Sequence, residues 1–274
     1  MLKEALAGIL DKDEIAHLSS SFDVIGDIAI IKIPNELSTK QELIAAQIQR
    51  SMKNVRTVLK QSSDVQGEYR TRDLEFVSGD ENYETIYKES ACLFKVNVKE
   101  VYFSPRLSTE RERLASLVRD GEQILNMFAG IGTFSIVIAK HKECHIESVD
   151  KNPKAIECAR ESLKLNKHLK GTVNPVLADA ATYAETHKNT FDRIIMPLPE
   201  RSKEFLKYAF EASKTRAVIH YYVNVPEKEF EDENWIGRDL STLQLTKEYK
   251  ILNWKRVREV GPRFIQAVAD LQVS

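Results

Sequence analysis

The spacing of hydrophobic and polar positions along this 274-residue chain changes character near residue 120. From Gln123 onward short apolar runs alternate with helix-periodic stretches. Ile124-Leu125 precedes Ile136 to Lys140, Ile146 to Val149 precedes Pro153 to Leu165, and Val173 to Leu177 follows. Phe191 to Met196 then precedes Ser202 to Ser213, with Ala217 to Tyr222 as a fifth strand candidate. Such alternation predicts an α/β fold with a parallel, doubly wound sheet, whose ligand lies beyond the carboxyl ends of the strands. Two later runs, Lys247 to Trp254 and Phe264 to Val273, complete that sheet.

The first half is less regular and reads as a smaller α+β domain. A helix is expected over Leu2 to Leu10, then a polar break at Ser19-Ser20-Ser21, an isoleucine-rich strand within Phe22 to Pro34, and a helix from Lys40 to Met52. Val55 to Leu59 predicts a strand, Gln61 to Asp80 is polar and punctuated by glycine, and Cys92 to Val98 and Val101 to Phe103 alternate like strands around a polar turn. Leu107 to Val118 predicts a helix opened by Ser108, and Arg119-Asp120-Gly121 marks a boundary. The expected domains are therefore 1–20, an N-terminal extension, 21–119 and 120–274.

Between the first strand and helix of the second half stands Asn126-Met127-Phe128-Ala129-Gly130-Ile131-Gly132. Gly130 and Gly132 permit a sharp turn and let a ligand approach the backbone at a helix N-terminus. Eighteen residues past Gly132 lies Asp150, at the end of the next strand, where a carboxylate can hold ribose hydroxyls or cap the helix that begins at Pro153. The third glycine of a dinucleotide fingerprint and the Lys-Ser/Thr pair of a phosphate loop are both missing.

Charge adds little. Forty basic residues balance 41 acidic ones, so any contact with nucleic acid needs a local patch. The three cysteines have no CxxC spacing, which suggests neither disulfides nor a metal site. No apolar run approaches the roughly 18 residues of a membrane span, and the N-terminus has no signal-peptide pattern. A cytoplasmic protein without membrane contact, working as a monomer, is expected.

The motifs around the glycine turn, Asp150-Lys151-Asn152-Pro153, Leu165-Asn166-Lys167, Ala178-Asp179-Ala180 and Pro197-Leu198-Pro199 resemble a class I S-adenosylmethionine-dependent methyltransferase. Gly67 to Arg72 and the run Tyr102-Phe103-Ser104-Pro105-Arg106-Leu107-Ser108-Thr109-Glu110-Arg111 narrow the resemblance to the archaeal and eukaryotic type of tRNA guanine-37 N1-methyltransferase. The likeness runs from roughly residue 20 to the end, which implies that the family's usual N-terminal accessory domain is lacking. In two places the chain departs from the family: Asn126 stands where an acidic residue is usual, and Pro197 where an asparagine is common.

The resemblance implies methyl transfer to N1 of the guanosine 3′ of the anticodon in a tRNA anticodon loop, with S-adenosyl-L-methionine as cofactor and no metal. It makes Glu110 the general base that takes the N1 proton, and gives Arg70 the charge that grows on O6. From spacing alone both are exposed salt-bridging residues. Tyr102 and Pro105 would shape the wall beside the target base, or simply pack. Arg106 would grip phosphate and Arg111 the cofactor carboxylate, whereas Arg113 reads as a solvated helix residue. Phe128, Ala129, Gly130, Gly132, Asn152, Ala180 and Pro197 would line the cofactor, with Asp150 on the ribose and Asp179 on the adenine amino group or capping a turn. Pro199 would border the substrate.

His220-Tyr221-Tyr222 reads as core and rim, with His220 a hydrogen-bonded structural residue, and Trp235 and Trp254 as packing. The alternatives are aminocarboxypropyl transfer, the chemistry of a wybutosine-pathway relative; an inactive RNA-binding relative; and a small-molecule methyltransferase. Pro199 favours methyl transfer, since that relative typically lacks the second proline of its motif.

Overall fold

A computed structural model describes residues 6, 10–17, 22–64, 67–232 and 234–274. The chain divides into two compact units, one through Pro105 and one from Arg106. The division falls ahead of the expected boundary at 119 because the helix Ser108–Leu117 packs against Thr133–His141 in the second unit.

In the first unit, most of the expected Leu2 to Leu10 helix and the polar break at Ser19-Ser20-Ser21 lie outside the described residues. Leu6 and Leu10 are described and buried in the unit's core, so the extension is part of this unit. A short helix α1 (Lys12–His17) is followed by β1 (Asp23–Ile25), β2 (Ile28–Ile31), α2 (Gln41–Ser51), β3 (Thr57–Gln61) and β4 (Leu74–Gly79). These strands form a sheet in the order β1-β2-β3-β4, with β2 and β3 parallel and the outer pairs antiparallel. Ile44 and Ile48, one helical turn apart, place α2 against Ala29, Ile31 and Val58. A hairpin of β5 (Glu84–Glu89) and β6 (Cys92–Asn97) completes the unit. The expected strand at Val101 to Phe103 is absent among the described residues: Val101 and Phe103 are buried, but the backbone pairs with no strand. Conversely β4 lies in the stretch that sequence left as polar.

A 3-10 turn at Pro105–Leu107 begins at the last residue of the first unit and runs directly into α3 (Ser108–Leu117) of the second. Leu107, not Ser108, occupies the N-cap, without a side-chain cap. Then come β7 (Gln123–Asn126), α4 (Thr133–His141), β8 (His145–Asp150), α5 (Pro153–Leu165), β9 (Thr172–Leu177), α6 (Ala180–Thr186), β10 (Phe191–Met196), α7 (Ser202–Ala212), β11 (Ser213–Pro226), α8 (Glu227–Phe230), α9 (Trp235–Leu240), β12 (Tyr249–Gly261) and β13 (Phe264–Val273).

Among the described residues these strands make one seven-stranded sheet, β12-β13-β11-β10-β7-β8-β9. The five from β9 to β11 are parallel, as expected, while β13 inserts antiparallel beside β11, so the sheet is mixed. Strand order reverses between β7 and β10, the point where an open sheet leaves a crevice at its carboxyl ends. One face packs Ile194, Met196, Ile219, Tyr221 and Leu271 against Phe205, Leu206 and Phe210 of α7 and Trp235 of α9.

The glycine turn joins β7 to α4 through Gly130 at φ 54° and Gly132 at φ 78°. A Cβ at Gly132 meets only Ala159 Cβ at 3.6 Å and side-chain atoms at 3.7 Å, so the backbone, not the space, demands glycine. Gly132→Ala is expected to cost about 1–2 kcal/mol in urea denaturation. A cost near zero would mean that the turn relaxes.

Candidate active site

The turn is fastened to the strands on either side, β8 and β10, by its own backbone and to β8 also by one carboxylate. Ala129 N–H donates to Val149 O at 2.9 Å, and Met127 N–H to Ile195 O at 3.0 Å. Asp150 Oδ2 accepts from Gly130 N–H at 2.6 Å, while Oδ1 accepts from Asn152 N–H at 2.9 Å. Burial pushes the Asp150 carboxyl up, and the hydrogen bonds from Asn152, Gly130 and Lys151 oppose that shift. The helix cap is Asn152, whose side chain accepts from Lys154 N–H at 2.9 Å ahead of Pro153. Asp150 is therefore not the cap of α5.

Behind the turn, Asn126 is fully buried at the end of β7. Its Nδ2 donates to Ser135 Oγ at 3.1 Å, and Ser135 Oγ lies 2.9 Å from Ser148 Oγ. Among the described residues Asn126 Oδ1 has no hydrogen-bond partner. Phe128 stacks edge-on with Phe205 at 4.9 Å.

At the end of β9, Asp179 caps α6: its Oδ1 accepts from Ala181 N–H at 3.0 Å and Thr182 N–H at 3.2 Å. Ala180 is buried beside it. After β10 the Pro197-Leu198-Pro199 segment is organised by Ser202, whose Oγ donates to Met196 O at 2.9 Å and Leu198 O at 2.8 Å. The Leu198 carbonyl also accepts from Arg201 and Ser202 N–H, so it is fully engaged. Pro197 is half-buried and Pro199 buried.

Glu110, on α3, is only 3 % exposed. It accepts from Arg113 Nη2 at 2.7 Å and Nε at 2.9 Å, and from the Tyr222 hydroxyl at 2.6 Å. Burial and the adjacent carboxylate hold the Tyr222 phenol well above its usual range, so it remains a donor. Arg113 extends to Asp270 Oδ2 at 3.1 Å. The solvated reading of Arg113 is thus corrected: it is a half-buried partner of two buried carboxylates, as its position three residues after Glu110 on one helix face allows. Arg111 is buried with its guanidinium 6.0 Å from the Phe134 ring centroid.

In the first unit the Arg70 guanidinium lies 4.3 Å over the Tyr102 ring. Arg70 has φ 54°, a left-handed backbone that fixes the end of the 67–70 turn. Arg106 is exposed in the second unit and lines a cavity of about 410 Å³ with Arg256 and Arg263, while Pro105 begins the 3-10 turn.

The second unit therefore gathers Phe128, Ala129, Gly130, Gly132, Asp150 and Asn152 about one turn, with Asp179 and Pro197 at the ends of other strands of the same sheet. Glu110 belongs to a separate buried cluster on that unit. Residues that sequence reading missed are Arg113, Tyr222, Asp270 and the Ser135–Ser148 pair. His220 has no exposed surface and bonds through both ring nitrogens, as expected of a structural histidine. Trp235 is core and Trp254 packs against it.

Comparison with known proteins agrees with this geometry. Residues 85–244 match the TRM5/TYW2 methyltransferase domain. The chain belongs to that family. Residues 2–82 match the TYW2 N-terminal domain, so the likeness starts at residue 2 rather than near 20 and takes in the first half as a domain of its own.

The tRNA (guanine(37)-N(1))-methyltransferase Trm5b of Pyrococcus abyssi is 39% identical over 259 residues, 94% of this chain and 76% of the relative. The tRNA(Phe) (4-demethylwyosine(37)-C(7)) aminocarboxypropyltransferase of Methanocaldococcus jannaschii is 32% identical, covering 91% of this chain and 96% of its own length. Among solved structures, the complex of aTrm5 with tRNALeu superposes with a TM-score of 0.84 at 28% identity, covering all of this chain and 78% of that one.

Proposed function

We propose that this protein transfers the methyl group of S-adenosyl-L-methionine to N1 of guanosine 37 in the anticodon loop of tRNA. The observation that carries the reading is Glu110: a buried carboxylate, oriented through both oxygens, within the motif Tyr102 to Arg111. The cofactor supplies an electrophilic sulfonium methyl. Guanine N1 is a poor nucleophile until its proton leaves, and Glu110 takes that proton. Arg70, oriented by the Tyr102 ring, stabilises the charge that then grows on O6.

The glycine turn fits the cofactor. An unpartnered buried acceptor, Asn126 Oδ1, stands at the carboxyl end of β7, where the ammonium of a methionine moiety would satisfy it. Phe128, Ala129, Gly130 and Gly132 line the approach, Asp150 and Asn152 hold the ribose side, and Asp179 keeps Oδ2 for the adenine amino group beside Ala180. The Pro197 carbonyl stands beside the donor and Pro199 beside the base. Arg111 takes the cofactor carboxylate. Arg106 grips phosphate, together with the neighbouring Arg256 and Arg263, and Pro105 sets its direction.

Asp150→Ala removes the acceptor of three backbone amides as well as the ribose contact. Cofactor affinity is expected to fall about 10- to 100-fold, read by calorimetry. Unchanged affinity would leave Asp150 as a fastening of the turn only.

The protein acts as a monomer in the cytoplasm. Among the described residues no helix is long and apolar enough to cross a membrane, and its three cysteines are unpaired, as a reducing compartment requires. Sedimentation tests the monomer. A second reading, aminocarboxypropyl transfer, follows from the M. jannaschii relative, but the higher identity to Trm5b and the presence of Pro199 favour methyl transfer. Incubation with tRNA and labelled cofactor, followed by mass analysis of the nucleoside at position 37, tests both. A methyl-sized gain on guanosine supports the proposal, and an aminocarboxypropyl-sized gain overturns it.

A further inference from the structure

A carboxylate clamped by a guanidinium is a weakened base, because the charge that orients it also stabilises its ionised form. Glu110 is clamped in this way by Arg113. If Glu110 is to accept a proton, something must take up part of that positive charge. Asp270 is placed to do so, accepting from Arg113 Nη1 at 3.1 Å. Its other oxygen, Oδ1, lies 2.6 Å from His220 Nδ1, and His220 Nε2 lies 2.7 Å from Arg193 Nη1. Arg193 ends the series on Glu122, donating from Nε at 2.6 Å and from Nη2 at 2.8 Å. His220 on β11 and Asp270 on β13 are direct cross-strand partners, so sheet register sets this pair.

Only one proton arrangement satisfies the series. A guanidinium has no acceptor, so His220 Nε2 must accept from Arg193, and the single ring proton sits on Nδ1, where it is donated to Asp270. His220 is therefore neutral and Asp270 ionised. Burial pushes the imidazole in the same direction, disfavouring its charged form.

We propose that Asp270 and His220 are positioning residues for the transfer reaction: Asp270 shares the charge and fixes the plane of Arg113, so that Glu110 stays oriented yet basic, and His220 fixes Asp270. This rests on Glu110 being the base. The charged and titratable groups about Glu110 are Arg113 and the adjacent Arg111 on α3, Tyr222 on β11, Lys255 on β12 with Nζ at 3.7 Å, and Asp270 on β13, followed by His220, Arg193 and Glu122.

Asp270→Asn keeps the shape and removes the charge. Single-turnover transfer to tRNA is expected to slow about 10- to 100-fold, with tRNA and cofactor affinities within about twofold of the parent. The midpoint of the ascending limb of rate against pH should move to lower pH, because the whole Arg113 charge then rests on Glu110. A purely structural role would leave that midpoint in place.

His220→Gln retains one donor and one acceptor and is expected to restore near-parental rates, whereas His220→Leu is expected to slow transfer as Asp270→Asn does. Should Asp270→Asn fail to fold, the His220→Gln and His220→Leu pair decides the matter: equal rates in the two overturn the proposal. A parental rate and midpoint in folded Asp270→Asn also overturn it. Glu110→Gln is measured alongside. If that variant keeps the parental rate, the base assignment itself has failed; if it is inactive while Asp270→Asn is parental, only the present inference fails.

Discussion

Glu110→Gln is expected to slow the transfer step about 10²- to 10⁴-fold while leaving tRNA and cofactor affinities nearly unchanged. The substitution is close to isosteric, and the amide oxygen can still accept from Tyr222 or Arg113. What it loses is the ability to take the proton from guanine N1. A base acts as the proton moves, so its removal lowers the rate constant rather than ground-state binding. The cluster adds a specific check. Glu110 is 3 % exposed, so a neutral side chain there leaves Arg113 with Asp270 as its remaining carboxylate partner, and a modest fall in thermal midpoint accompanies the kinetic effect. Single-turnover rates with saturating tRNA, set beside dissociation constants for both ligands, separate the two. Equal losses in rate and affinity would assign Glu110 to the architecture of α3 instead of to proton transfer.

How far the sequence discloses this architecture depends on how local the determining contacts are. The strands β7 to β11 and their helices are legible because each is an apolar run followed by its own helix. The glycine turn, Asp150 and Asn152 are legible for a related reason: a left-handed turn, a strand end and a helix cap are each written in a few adjacent residues, although 20 positions separate Gly130 from Asp150. β4 was hidden because its burial is slight and irregular, with Glu75 and Phe76 exposed, so no alternation marks it. Val101 to Phe103 misleads in the opposite direction: Val101 and Phe103 are buried, but Val101 N–H closes a turn onto Asn97 O, and the segment joins no strand ladder among the described residues.

The cluster about Glu110 was illegible beyond Glu110 itself. Arg113 meets Asp270 across 157 residues of sequence, and Tyr222 meets Glu110 across 112. Nothing in the spacing of charges reveals that β13 inserts beside β11 and brings Asp270 opposite His220. Periodicity did hold one clue, since residues three apart share a helix face and Glu110 with Arg113 form such a pair. Charged pairs at that spacing are usually solvated, so the spacing alone does not mark a buried cluster.

Arg113→Met is expected to lower the stability of the protein by about 3–5 kcal/mol near neutral pH, because it removes the common partner of two buried carboxylates while leaving both charges in place. The side chain fills similar volume, so little of the loss comes from packing. Acid distinguishes the electrostatic cause. In the parent, burial alone would raise the Asp270 carboxyl, but the hydrogen bond from His220 and the charge of Arg113 hold it down at about 2. A folded value below the unfolded one of about 3.9 stabilises the fold above about pH 4, and that contribution is lost as pH falls through 4 toward 2. The depressed His220 acts earlier. Its unfolded form takes up a proton near pH 6.5 while the folded form does not, so the parent also loses stability as pH falls below about 6.5.

With Arg113 gone, Asp270 keeps only His220 as its partner against burial, and its folded value rises from about 2 toward the unfolded one. The variant therefore loses less stability than the parent as pH falls through 4 toward 2. The gap between the two proteins should therefore narrow between about pH 5 and about pH 2.5 in urea denaturation. A gap of the same size at both pH values would mean that Arg113 stabilises the fold by contact alone, and that the two carboxylates are not held by its charge.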